Sequence, residues 1–153
     1  MNTIIIDSNN LLHKIPALKK SFSANPENAQ LSLIETITSK LKRTAKVIFV
    51  FDGFGNIKRN NIVYSGKFTA DKIIREYIEQ NYNKTTLIVV SSDNEITNLA
   101  RICGCVVTKS EDFYSSVTDE KHSKNINEPD YKKDEKPAGM SKKDYNEFMK
   151  YFS

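Results

Sequence analysis

Four aspartates occupy positions at which an α/β fold would gather them into one site. Three come at or just after the end of a short apolar run, and the fourth lies in the first turn of a predicted helix. The three are Asp7, Asp52 and Asp93, and the fourth is Asp71. Because the carboxyl ends of parallel strands meet at one edge of a sheet, we expect these carboxylates to lie close together there.

Clustered carboxylates predict a site for a divalent cation. Their charges repel one another unless a cation compensates them, and hard oxygen ligands suit Mg²⁺ or Mn²⁺. Such an ion can bind phosphate oxygens and activate water. A single aspartate at a helix N-terminus has a simpler role as a cap, so Asp71 or Asp93 alone would prove little. Asp52, followed by Gly53, is open to two roles, contact with the metal or capping of a supporting turn.

Other catalytic chemistries find few residues in this sequence. It contains no GxxxxGK[ST] phosphate loop, no GxGxxG, no GxSxG and no HExxH motif. The two histidines, His13 and His122, are interpreted as ordinary polar residues. This scarcity argues against cleavage of RNA by histidine acid–base chemistry without a metal.

The pattern of apolar runs predicts an α/β fold with a mostly parallel central sheet between layers of helices. Four nearly all-apolar runs, typical of strands covered on both faces, alternate with helical patterns. A cap at Asn25, a cap at Thr69 and a capping box from Ser92 to Glu95 predict helix starts, and Gly104 predicts a helix end. The runs are residues 3–6, 47–51, 87–90 and 105–108, and residues 57–64 are interpreted as a small hairpin or excursion.

The chain is predicted to form one domain over residues 1–118, a polar linker over 119–140 and a final helix over 141–153 that docks on the domain. The formal net charge is +4, and residues 1–118 hold 15 Lys and Arg against 11 Asp and Glu. With several acids assigned to one site, the surface around that site should be positive. This favours a polyanionic partner.

The cysteines and the N-terminus indicate a soluble protein of the cytoplasm. Cys103 and Cys105 flank Gly104 beside an apolar run, so their side chains are expected on opposite faces, as reduced, packed thiols. Neither a disulfide nor a zinc site is favoured. The apolar run before Asp7 is too short for a signal peptide or a membrane span.

Several segments, in order along the chain, resemble those of NYN-domain ribonucleases, especially the bacterial YacP-like branch. The first resembles the opening strand and the Asp-Gly-x-Asn turn of that family. Ser8 stands where the family commonly has glycine, and Lys72 where a second polar or acidic residue often follows the aspartate. The segments are residues 4–12, 50–53, 63–65, 69–74, 91–96, 100–104 and 110–113.

The resemblance implies a PIN-like fold and metal-dependent cleavage of RNA. It further implies that Asp7, Asp71 and Asp93 form the metal site, and that Asn10 positions a neighbouring acid or the substrate. Ser92 and Glu95 are assigned a capping role, with supporting hydrogen bonds to the site.

Basic and aromatic residues near the same edge are predicted to contact RNA. Lysine and arginine side chains hold phosphates, and exposed rings stack on bases. The predicted phosphate contacts are Lys58, Arg59, Lys67, Lys72 and Lys109, and the predicted stacking residues are Tyr64 and Phe68.

The sequence thus predicts an endoribonuclease that acts on single-stranded or unpaired RNA with one or two Mg²⁺ or Mn²⁺ ions. The main alternative is a non-catalytic RNA-binding or ribosome-associated module of the same fold, which would not require converging carboxylates. A metal-dependent phosphatase or a flap-type DNA nuclease is a further alternative. A panel of substrates discriminates between them.

Overall fold

The computed structural model describes residues 2–41 and 45–118 of the chain. The predicted linker, the predicted final helix and His122 lie outside these ranges. None of the described helices has the length and apolar character needed to cross a membrane. The strands are β1 (Asn2–Asp7), β2 (Ala45–Phe51), β3 (Ile62–Tyr64), β4 (Leu87–Val90) and β5 (Val106–Thr108), and the helices are α1 (Ser8–Lys14), α2 (Pro16–Ala24), α3 (Pro26–Lys40), α4 (Ala70–Asn81), α5 (Asn94–Ile102) and α6 (Ser110–Thr118).

The strands form one parallel sheet in the order β3-β2-β1-β4-β5. The first strand of the chain is the central one, with Ile5 opposite Ile48 of β2 and Val89 of β4. Such a strand has a neighbour on each side and a helix layer on each face, which explains its continuous apolar sequence. The predicted parallel sheet is therefore confirmed.

Alternate residues of the central strands feed two separate cores. Ile4 and Ile6 of β1 belong to a cluster with residues of α1, α3 and α6. Ile5, between them, belongs to a second cluster with residues of α4 and α5. Since successive side chains of a strand point to opposite faces, the result is the predicted sandwich of a sheet between two helix layers.

The predicted helix starts are mostly confirmed by side-chain caps. The Asn25 side chain accepts a hydrogen bond from the backbone N–H of Asn28 at 3.1 Å, and Pro26 opens α3. The Thr69 hydroxyl accepts from the backbone N–H of Lys72 at 3.1 Å and opens α4. Gly104, with φ +80°, turns the chain after α5 as predicted. Two helices that were not predicted, α1 and α2, precede α3 in the connection from β1 to β2.

Two local predictions need correction. Of the two alternatives for residues 57–64, a hairpin or an excursion, the hairpin is wrong, because the segment ends in β3, which pairs parallel to β2 at the edge of the sheet. The side chains of Cys103 and Cys105 do not separate to opposite faces, because both pack against the same hydrophobic cluster. Residues two apart on a strand would in any case share a face, and here Cys103 is the C-cap of α5 and the turn at Gly104 intervenes. Both thiols are free, as expected.

Gly55 offers a test of the packing between the loop after β2 and the edge strand. A Cβ at Gly55 would overlap the Tyr64 ring. That ring cannot easily move, because it stacks on Phe51 with the two ring centroids 5.6 Å apart. Its hydroxyl also donates a hydrogen bond to the Gln30 side chain. We expect Gly55→Ala to lower the free energy of unfolding by about 1–3 kcal/mol, measured by urea denaturation.

The control is the same substitution in a Tyr64→Leu background. Leucine lacks the ring and hydroxyl atoms of Tyr64 that a Cβ at position 55 would overlap. The cost of Gly55→Ala should then largely disappear, so the double-mutant cycle should show strong coupling. An equal cost in both backgrounds would mean that the contact with Tyr64 is not its cause.

Candidate active site

The strand order places a topological switch point at the carboxyl end of β1. From β1 the chain continues to β2 on one side, and β4, reached later, pairs with β1 on the other side. In an open parallel sheet, ligands bind where the strand order switches in this way. Asp7 is the last residue of β1, and Ser91 follows the last residue of β4. Both residues therefore lie at the switch point.

Asp7 is a buried carboxylate, with only 7% of its surface exposed. Its Oδ2 accepts a hydrogen bond from the Ser91 hydroxyl at 2.9 Å, and the backbone N–H of Asn10 also donates to it. Burial is the largest cause that raises the pKa of Asp7, to about 6. The hydrogen bonds from Ser91 and from the backbone of Asn10 lower this pKa, whereas the negative charges of Asp93 and Asp71 raise it. The predicted neighbours Asp71 and Asp93 are thus close enough to act on Asp7.

Ser91 connects two of the acids and was not singled out by the sequence analysis. Its hydroxyl donates to Asp7 and accepts a hydrogen bond from the backbone N–H of Asp93 at 3.0 Å. The residue is fully buried. A serine that directly follows a buried strand at the switch point was the available signal.

Asp93, not Ser92, is the N-cap of α5, which corrects the predicted capping box. The Asp93 Oδ1 accepts from the backbone N–H groups of Glu95 at 2.8 Å and Ile96 at 3.3 Å. Both bonds use Oδ1, so Oδ2 can be offered to an ion. Ser92 instead donates to Glu111 at 2.6 Å and accepts from the backbone N–H of Ser110 at 3.1 Å, which ties the loop after β4 to α6.

Asp71, Asp93 and Glu95 form a group that could hold a metal ion. One carboxylate oxygen from each lies within 4.8 Å of the others. Asp71 comes from the first turn of α4 and the other two from the start of α5. Glu95 was assigned only to capping and support. Because Asp93 takes the capping role alone, the Glu95 side chain can join the acid group.

The donor set of this group fits a hard divalent cation. The Asp71 Oδ2 accepts from the Arg75 Nε at 2.9 Å, whereas its Oδ1 is buried and has no hydrogen-bond partner. A buried carboxylate oxygen without a partner is costly in the absence of a cation. Carboxylate oxygens alone, without sulfur or nitrogen ligands, suit Mg²⁺ or Mn²⁺.

Two adjacent asparagines bind the segments that follow the strand ends near the acids. The Asn10 Oδ1 accepts from the backbone N–H of Ser92 at 3.0 Å and from the Ser110 hydroxyl at 2.7 Å. Asn9 accepts from the backbone N–H of Asp52 at 2.8 Å. The Asn10 side chain therefore joins α1 to the loop after β4 and to α6, and its role in positioning an acid or the substrate stays a prediction.

Asp52 is hydrogen-bonded to the start of α4, the helix that carries Asp71. The Asp52 Oδ1 accepts from the backbone N–H of Ala70 at 3.0 Å and from the Ser65 hydroxyl at 3.3 Å. Among the described residues it is not part of the group of three acids. These bonds position the start of α4, and hence Asp71, which is the supporting role left open for Asp52.

Helix α6 adds a second acidic pair next to Ser92. Burial is the main cause that raises the pKa of Asp112 to about 6, and the negative charge of Glu111 raises it further. The positive charge of Lys109 lowers this pKa. For Glu111, burial raises the pKa but is outweighed by the Ser92 hydroxyl, its own backbone N–H and nearby lysines, so that the pKa is lowered. The Asp112 Oδ2 is buried without a hydrogen-bond partner. Neither acid was predicted to belong to the site.

The predicted RNA contacts fall into different places. Lys67, Phe68 and Lys72 follow the carboxyl end of β3 and lie at the start of α4, with the Lys72 Nζ 4.5 Å and the Lys67 Nζ 5.8 Å from the centroid of the Phe68 ring. Lys109 lies at the start of α6 and acts on both of its acids. The structure therefore brings these four residues to the carboxyl edge of the sheet.

The other three predicted RNA contacts are either away from this edge or not fully exposed at it. Lys58 and Arg59 are exposed but precede β3, at its amino end, where Asn61 pairs with Phe49. Tyr64 is partly buried, with its ring stacked on Phe51. Its position gives it a packing role, because the edge strand covers the core there.

Comparison with known proteins shows which family and which solved structures this chain is similar to. A family model described as the YacP-like NYN domain matches residues 4–153. Crystal structures of Rae1 (YacP) from Bacillus subtilis have the same fold: a tryptophan-to-leucine mutant is 22% identical over 88% of this chain and 89% of its own, with a TM-score of 0.65. A second structure is 20% identical over 88% and 84%, with a TM-score of 0.64. Among curated proteins there is no significant match.

The raised pKa of Asp7 predicts a pH-dependent gain in stability for Asp7→Asn without metal. Its folded-state pKa of about 6 exceeds the ordinary aspartate pKa of 3.8, so wild type loses stability as the pH rises through this interval. Asparagine cannot ionise and can still accept from Ser91. At pH 7.5 in EDTA, Asp7→Asn should be more stable by about 1–3 kcal/mol in urea denaturation.

The gain should vanish near pH 4, where Asp7 is protonated in the folded protein. Glu79→Gln, at an exposed position of α4, is the matched control and should show no such change. A gain of the same size at both pH values would assign the effect to something other than ionisation of Asp7.

The acid group predicts stabilisation by Mn²⁺ that depends on its carboxylates. At an ion concentration one hundred times Kd, binding to the folded state contributes about 2.7 kcal/mol. The Tm of wild type should rise by several degrees. Asp71→Asn and Glu95→Gln should lose most of this rise in thermal unfolding.

Glu79→Gln again serves as the control, since it lies on the same helix as Asp71 but outside the acid group. It should keep the full rise in Tm. If all three variants responded to Mn²⁺ as wild type does, the ion would bind elsewhere.

Proposed function

We propose, since the chain belongs to the YacP-like NYN family of PIN-like ribonuclease domains, that it is an endoribonuclease that cleaves single-stranded or unpaired RNA with bound Mg²⁺ or Mn²⁺. The observation that carries this proposal is the group of Asp71, Asp93 and Glu95 beside the buried Asp7. These acids converge at the switch point of the sheet, where open α/β folds bind ligands.

Capping of α5 and the ion pair of Asp71 with Arg75 account for only part of this acid group. Asp93 alone caps its helix, through one of its two carboxylate oxygens. One carboxylate oxygen of each acid lies within 4.8 Å of the others, and the only cation in contact with the group among the described residues is Arg75. A fold without chemistry at this place would gain from replacing several of these acids, because their mutual repulsion lowers its stability.

The ion would be held by Asp71, Asp93 and Glu95. Asp7, at the end of β1, would complete the site. When bound, Mg²⁺ or Mn²⁺ supplies activation of water and stabilisation of charge on the phosphate and the leaving oxygen. Ser91 keeps Asp7 and Asp93 in a fixed relation through one hydroxyl. Arg75 keeps the Asp71 carboxylate in one orientation.

RNA as the substrate is supported by the residues around the acids. Lys67 and Lys72 place positive charge at the start of α4, beside Asp71, where a phosphate backbone would lie. The ring of Phe68 between them is 48% exposed. An exposed ring can stack on a base only when that base is unpaired, which favours single-stranded RNA over a duplex.

A cytoplasmic location and a further partner in the ribosome or the translation machinery stay predictions. So does the alternative of a non-catalytic RNA-binding module. The latter differs from the proposal in one respect that can be measured, because it would bind RNA without any dependence of cleavage on the acids.

The test is cleavage of a panel of single-stranded RNA, duplex RNA and single-stranded DNA with Mn²⁺, Mg²⁺ or EDTA. We expect wild type to cleave single-stranded RNA only with metal. Asp7→Asn and Asp93→Asn should reduce the rate by on the order of 100-fold or more. Asparagine at position 93 can still cap α5, so the loss would not reflect unfolding.

Glu79→Gln is the control and should cleave as wild type does. Metal-independent cleavage that survives both aspartate substitutions would indicate a contaminating nuclease and contradict the proposal. Binding of RNA by wild type without cleavage under any of these metal conditions would favour the non-catalytic module.

A further inference from the structure

Two exposed phenylalanines lie on the segment that joins β2 to α4. Phe54 is 81% exposed and Phe68 is 48% exposed. The other large apolar residues with high exposure in the described ranges, Tyr82 and Ile102, lie at the C-terminal ends of α4 and α5. Exposed aromatic surface is therefore concentrated on the side of the sheet edge where α4 brings Asp71.

The backbone around Phe54 is held in place although its ring is exposed. The N–H of Gly53 donates to the Ser65 hydroxyl at 2.8 Å, and the carbonyl of Gly53 accepts from the N–H of Gly66 at 2.8 Å. On the other side, Gly55 lies against the ring of Tyr64. An apolar ring on a fixed backbone cannot withdraw from water by a movement of its loop.

The Phe54 ring lies along the backbone of Gly66. A Cβ at Gly66 would lie 3.6 Å from the Phe54 Cε1, an ordinary van der Waals distance, so the ring rests beside the chain two residues before Phe68. The Phe68 ring in turn lies under the ammonium groups of Lys72 and Lys67. Two rings and two positive charges thus follow one another towards the start of α4, which carries Asp71.

We propose that Phe54 and Phe68 form a stacking platform that holds an unpaired RNA base beside the acid group. Every base offers a flat π face to a ring, and adjacent lysines neutralise the phosphates of the same strand. This inference rests on the proposed function for the identity of the strand as RNA. It adds to it a specific residue, Phe54, and a direction in which the strand leaves the acids.

The test is the affinity for a short single-stranded RNA containing one 2-aminopurine, measured in EDTA so that metal-dependent cleavage does not interfere. We expect Phe54→Ala and Phe68→Ala each to weaken binding roughly tenfold, and to reduce quenching of 2-aminopurine. Phe54→Tyr, which keeps the ring, should bind as wild type does. Ile102→Ala is the matched control, since Ile102 is 83% exposed at the far end of α5.

Cleavage of the same RNA with Mn²⁺ is measured in parallel for wild type. If wild type cleaves but Phe54→Ala binds with unchanged affinity, the platform is wrong and the nuclease stands. If binding depends on Phe54 but wild type does not cleave, the platform stands and the nuclease is wrong. A change in sedimentation of Phe54→Ala with no change in RNA affinity would assign the ring to a protein contact and overturn the platform.

Discussion

The repulsion between carboxylates at one edge of the sheet is the constraint on which this structure depends. Asp7, Asp71, Asp93 and Glu95 approach one another at the end of the central strand. Burial is the largest cause of the raised pKa of Asp7, and repulsion from Asp93 and Asp71 adds to it. The surrounding fold must therefore hold charges together that would separate in a looser structure, and its two cores provide the rigidity for this.

Neutral side chains, rather than opposite charges, do most of the positioning. Asn9 and Asn10 connect the start of α1 to the loops after β2 and β4, and Ser91 bridges two of the acids. Ser65 and the start of α4 share the Asp52 carboxylate. A lysine or arginine in any of these places would neutralise the acids and compete with a bound cation. Hydrogen bonds from neutral groups fix the geometry and leave the negative charge available.

The parts of the site that follow strand ends could be predicted, because a buried parallel strand is readable as an apolar run and its carboxyl end has a fixed place. This rule placed Asp7 and Asp93 correctly. The place of Glu95 in the acid group could not be predicted, since it depends on whether Ser92 or Asp93 caps α5, a difference of one residue in backbone conformation. Helix α2 was not foreseen because it is short and has no fully buried residue, and only Leu18 and Phe22 of its apolar residues larger than alanine pack against the core.

The exposure of Phe54 illustrates a limit of a different kind. Its sequence neighbours are two glycines, which by themselves indicate a flexible turn. The contact that makes the turn rigid joins Gly55 to Tyr64, nine positions away, and exists only after β3 has paired with β2. The same pairing brings Gly66 beside the ring. The edge strand therefore has a function beyond extending the sheet: it converts a glycine-rich loop into a fixed support, on the same segment that delivers Asp71 to the acids.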